Sequence, residues 1–217
     1  MPWLPLFLAL SLSATQPGPV EALREAFPAE HEALAGRLAG KPPEEARKIA
    51  YAGFAGFLAA HRGAILNAPA ATLVDIERRQ AAMLRAVGAE DAARCALIAD
   101  LGFFSEEAAA VPAPPGLDDY AAVLVSAAKA GAGPARLAAP ATREDFLAWI
   151  AAAEKAEPGL PIRRMLTDKA ARAASPADSQ CRAAAALHEA AARLPGAGGE
   201  RIARTMIGIV LAPVAGP

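Results

Sequence analysis

Few residues of this chain have the chemistry to make a site: three histidines, two cysteines and some paired carboxylates. The histidines are His31, His61 and His188. None falls in H-E-x-x-H or has a second histidine four residues away, the spacing that puts two zinc ligands on one helix face. His31-Glu32 and His188-Glu189 are sequence neighbours, and neighbours on a helix point in different directions. Only long-range folding can bring either histidine to a partner. His61 differs, because it extends an apolar stripe through Tyr51 and Phe54. A histidine there rims the core or, inside a cavity, acts as a ligand or proton-transfer group. His61, Tyr51 and the acid Glu45 are therefore the candidate catalytic residues if the chain is an enzyme.

The carboxylates come in pairs: Glu44-Glu45, Glu106-Glu107 and Asp118-Asp119. Each pair sits at an expected helix start, where the positive end of the helix dipole accounts for it. Glycoside hydrolysis would need two carboxylates at a defined separation, and nothing in the spacing provides that. No G-x-S-x-G elbow is present. Gly131-Ala-Gly133 and Gly196-Ala-Gly-Gly199 lack the Lys-Ser/Thr of a phosphate loop and read as loops. Arg78-Arg79 and Arg163-Arg164 are isolated basic pairs with acids nearby, as on solvated faces. No cofactor and no metal is expected, and the absence of C-x-x-C-H removes covalent c-type haem.

Cys95 and Cys181 belong to no C-x-x-C motif, so metal-finger and thioredoxin-like readings fail. In an oxidising compartment they would form one disulfide closing a loop of about 86 residues, which chain entropy makes worth about 4–5 kcal/mol. The N-terminus fits such a compartment. Residues 3–12 form an apolar run of signal-peptide length, followed by small residues at Ser13 and Ala14. Residues 1–14 are read as a signal peptide and 15–19 as a flexible start of the mature chain. The run is too short to span a bilayer, and no transmembrane span is expected in the mature chain. Localisation is expected to be periplasmic or secreted.

The elements that must position these residues follow from composition. The chain has 217 residues, with 22 Lys+Arg against 23 Asp+Glu and a net charge of −1. Such a balance argues against nucleic acid as partner. An apolar fraction of 54 % with 21 % charged residues excludes wholesale disorder. Alanine makes up about 28 % of the chain, and alanine favours helix over strand. No Asn-Gly or Asp-Gly hairpin signal appears.

Apolar positions recur at helical spacing between Pro and Gly breaks. A first region spans 20–40 and restarts at Pro28. The second helix opens at Pro42-Pro43 and carries one stripe through Tyr51, Phe54, Leu58, His61 and Ile65, with Gly53, Gly56, Ala60 and Gly63 allowing close approach. The third, 71–87, buries Leu73, Ile76, Met83, Leu84 and Val87. Its wet side is Asp75, Glu77, Arg78, Arg79 and Arg85, and Gly88 stops it. A short helix over 90–101 carries Cys95, and Ser105 caps an acidic turn. Further helices begin at Leu117, after the cap Thr142, near Ile162, after the cap Ser175 and at Glu200.

The fold expected is all-α: a compact bundle of about seven or eight short-to-medium helices stapled by Cys95–Cys181. It would be a single domain over 20–217, with connectors near 111–116 and 131–140. The function expected is an exported, non-catalytic binding or interaction module for an unknown protein or small-molecule partner. Two alternatives stand beside it. One is an exported enzyme with a site assembled around His61; the other is a bundle carrying a small apolar ligand.

Overall fold

A computed structural model describes residues 19–134 and 139–211. The expected signal peptide and most of the flexible start, part of the second connector and the tail from 212 lie outside the described residues. After a 3-10 turn at Glu21–Leu23 come α1 (Pro28–Leu38), α2 (Pro43–Ala60), α3 (Arg62–Leu66), α4 (Ala70–Glu90), α5 (Ala92–Leu101) and α6 (Glu106–Ala109). They are followed by α7 (Leu117–Ala130), α8 (Arg143–Ala156), α9 (Ile162–Thr167), α10 (Lys169–Ala173), α11 (Ala177–Arg193) and α12 (Gly196–Val210). The architecture is all-α, and no strand occurs among the described residues. Eight of these twelve helices have seven or more residues, which agrees with the bundle expected from the alanine-rich pattern.

Local chemistry explains several helix starts. Pro28 and Pro43 occupy first-turn positions, where the missing N–H costs nothing. Thr142 and Asp145 form a reciprocal capping box at α8. Ser105 accepts from the Ala108 N–H at 3.1 Å and caps α6.

The structure departs from five local expectations. Ser175 does not cap α11; its hydroxyl donates to the Ala171 carbonyl at 2.8 Å, satisfying the end of α10. Pro176, extended at ψ 146°, stands outside the helix in its place. The stripe from Tyr51 to Ile65 crosses a break at His61, where ψ of 9° ends α2 before α3 begins. Of Gly53, Gly56 and Gly63, only Gly53 has a close neighbour, Leu34. Gly196-Ala-Gly-Gly199 is the first turn of α12 rather than a loop, because Gly199 lets the Leu194 carbonyl approach where a side chain would stand.

Gly88 lies inside α4 rather than ending it. Cys181 Sγ occupies the space a side chain there would need. Cys95 and Cys181 stand at disulfide distance, with S–S 2.02 Å and Cα–Cα 5.4 Å. They link α5 to α11 across the face of α4.

Two apolar cores result. One gathers Phe54, Phe57, Leu73, Ile76, Leu84, Tyr120 and Leu124. The other gathers Trp149, Ile162, Met165, Leu187 and Ile202. α11 serves both, giving Cys181 and Ala185 to the first and Ala183, Ala186 and Leu187 to the second. Its alanines have no bulk on either side, so neighbouring backbones come close. α11 packs most extensively on α4, and that contact positions the site.

Candidate functional site

On α4, Leu73, Glu77, Gln80, Leu84 and Val87 alternate four and three residues apart and are all buried. That is one helical face. Glu77 therefore does not belong to the wet side with Asp75, Arg78 and Arg79; it is 0 % exposed. Its charged neighbours suggest a wet face, while its spacing from Leu73 and Gln80 carries the signal of a buried one.

Across the α4–α11 contact, Glu77 meets His188, also buried, with Glu77 Oε2 2.6 Å from His188 Nδ1. Glu77 Oε1 is buried with no hydrogen-bond partner among the described residues. One turn along, the Tyr120 hydroxyl donates to Gln80 Oε1 at 2.8 Å. Tyr120 and Gln80 thus satisfy each other and leave Glu77 to His188. Burial pushes the Glu77 carboxyl above its ordinary value, with the neighbouring His188 opposing it. Burial also pushes the Tyr120 phenol up, and the Glu77 charge adds to the effect.

His188 borders a cavity of about 380 Å³, within the range of small-molecule sites. α8 contributes Phe146, Trp149 and Ile150 to its walls, α9 Ile162 and Met165, and α12 Met206 and Ile209. α5 and α11 add the small residues Ala96, Ala183 and Ala184. The Trp149 indole N–H donates to the Leu187 carbonyl at 2.8 Å, so the ring's one polar atom is satisfied inside the protein. Asp100 and Arg172 lie on the lining and pair with each other at 3.0 Å, both about half exposed. A second cavity of about 250 Å³ beside Phe103, Phe104 and Leu124 has no charged side chain on its lining.

Two other ion-pair clusters are structural. Arg201 grips the Asp145 carboxylate through two hydrogen bonds of 2.7 and 2.8 Å, joining α12 to α8. Glu157 takes Arg182 at 2.5 Å and Arg85 at 3.3 Å. Burial pushes the Glu157 carboxyl up, but Arg182 and Arg85 outweigh it and hold it below its ordinary value.

The residues singled out from sequence have separate partners. His61 packs its ring between Phe27 and Phe57, with centroids at 4.7 and 4.5 Å. Its Nε2 lies 3.5 Å from Glu30. Tyr51 is buried, its hydroxyl has no hydrogen-bond partner among the described residues, and burial raises its pKa against the pull of Arg47 and Arg94. Glu45 is exposed and pairs with Lys41 at 2.7 Å. The histidine that long-range folding joins to a buried acid is His188, and the acid comes from α4, not from the adjacent Glu189.

Among the described residues, no group of three or more His, Cys, Asp or Glu side chains is placed to hold a metal ion. None of the described helices is long and apolar enough to cross a membrane. No protein-family model, curated protein or solved structure matches this chain.

Proposed function

We propose that the protein is an exported, non-catalytic helical module that holds a small apolar molecule in the cavity beside His188. One observation carries this reading: a cavity of about 380 Å³ walled by aromatic and aliphatic side chains, with a single buried polar pair at its edge. Ligand sites have that composition, mostly apolar with a few placed polar groups that orient the guest. Export is supported by the apolar run at residues 3–12 and by Cys95 and Cys181 at disulfide distance, a pairing favoured in oxidising compartments.

Titration with the neutral dye N-phenyl-1-naphthylamine tests the reading. Trp149 is one of only two tryptophans in the chain and lies on the cavity wall. Its emission should be quenched saturably. The quench should vanish in Trp149→Phe, and Ala96→Leu should weaken it by filling the cavity. Non-saturable quenching, or saturable binding indifferent to Ala96→Leu, would remove the cavity as the site. For export, the N-terminal sequence of secreted material should begin near Ala14 or Thr15, and an intact Met1 would count against cleavage.

A further inference from the structure

The proton inventory of the Glu77–His188 pair determines what the cavity presents to its guest. The two side chains share one hydrogen bond of 2.6 Å through Nδ1. If that proton sits on Nδ1 of a cationic imidazole, Glu77 is a carboxylate and Nε2 carries the second proton. If the shared proton sits on Glu77, the imidazole is neutral and Nε2 still carries a proton. The overall charge is zero in both arrangements, and both leave an N–H at Nε2. Nε2 becomes an acceptor only if the pair loses a proton and becomes a net anion.

The surroundings resist that loss. Glu77 is fully buried, and Oε1 has no donor to support a lasting negative charge. The Tyr120 hydroxyl, which could have supplied one, is spent on Gln80. Arg172 is the cation on the cavity lining, and it is paired with Asp100. Gln180, also on the lining, donates its amide to the Ser175 carbonyl at 2.8 Å. His188 lies on the cavity lining, and its Nε2 has no hydrogen-bond partner among the described residues.

We infer that, given an apolar guest in this cavity, the guest is an electrically neutral molecule bearing a carbonyl oxygen, which accepts a hydrogen bond from His188 Nε2. Glu77 acts as the positioning residue that keeps the imidazole a donor. An alkylammonium head meets an N–H where it needs an acceptor. A carboxylate head can accept the same Nε2–H, but it must be desolvated in a largely apolar lining whose cation, Arg172, already pairs with Asp100. A ketone or ester oxygen accepts the hydrogen bond without adding charge.

Displacement of bound N-phenyl-1-naphthylamine from the intact protein tests this with three chains of equal length: 2-nonanone, nonanoate and nonylamine. The ketone is expected to displace the dye at concentrations about tenfold lower than either charged analogue, the scale of one hydrogen bond. That preference should disappear in His188→Phe while the dye still binds, and should partly return in His188→Gln, which keeps an amide donor. Should His188→Phe fail to fold, the carbonyl stretch of bound 2-nonanone decides the matter in the unaltered protein. A shift to lower frequency than in alkane solvent is expected, and an unshifted band overturns the inference. Equal or better displacement by nonanoate or nonylamine overturns it too, while leaving the cavity as an apolar site. Absence of saturable dye binding overturns this inference and the proposed function together.

Discussion

Glu77 and His188 are 111 residues apart in the chain, and their side chains meet at 2.6 Å inside it. The contact joins α4 to α11 and supplies a buried polar point on the edge of a largely apolar cavity. A buried pair of this kind stands or falls as a unit, because each group is the only described hydrogen-bond partner of the other.

Removal of one member should therefore cost far more than removal of both. Glu77→Ala is expected to lower unfolding free energy by about 3–5 kcal/mol, because it takes the buried histidine's partner away and opens a void. The double variant Glu77→Leu/His188→Phe is expected to regain most of that loss, since an apolar pair of similar volume needs no desolvation. Urea denaturation of the three proteins checks this. A single variant within about 1 kcal/mol of the unaltered protein would show that the pair is not coupled to stability.

The link between Cys95 and Cys181 should dominate the response to reductant. Denatured, unreduced protein should show almost no free thiol in a titration. Cys95→Ala/Cys181→Ala should lose about 4–5 kcal/mol, the chain-entropy value for a loop of this length. Two free thiols in the first measurement would remove the bond and its contribution together.

Gly88 tests how tightly α4 and α11 are pressed together. Alanine is the better helix former, so Gly88→Ala on an open helix would stabilise by about 0.5–1 kcal/mol. Here the added methyl would run into Cys181 Sγ, and a bond to Cys95, which stands at disulfide distance, would keep that sulfur from swinging aside. A loss of about 1–3 kcal/mol is expected from thermal or urea unfolding. A gain would mean that the helices have room to separate.

Asp145 should shape the acid limb of stability. Its carboxyl is held down from 3.8 to about 2, first by the Arg201 guanidinium and then by the Thr142 backbone N–H. A depressed folded value means that the stabilisation is present above pH 3.8 and is lost as pH falls through about 2. Asp145→Asn should lower the thermal midpoint at neutral pH and flatten its decline across that window. An unchanged acid profile would show that another carboxylate controls it.

The class of fold, the number of substantial helices and the one pair of cysteines able to meet were legible in the chain alone. These rest on local propensity and on counting: alanine favours helix wherever it falls, Pro and Gly punctuate, and two cysteines have one possible internal bond. Caps at Ser105 and Thr142 were legible for the same reason, since their partners lie three residues away. The candidate site was not legible in this way. Glu77 looked wet because Arg78 and Arg79 follow it, and only packing on α11 made its face of α4 an interior one. Gly88 looked like a stop until a sulfur from Cys181 accounted for its missing side chain. His61 shares a stripe with aromatics, and the structure surrounds it with Phe27 and Phe57. His188 sits on an alanine-rich helix with a buried face, and nothing local says which residue of another helix will meet it. Which histidine meets a buried acid depends on contacts across more than a hundred residues, and no local spacing encodes those.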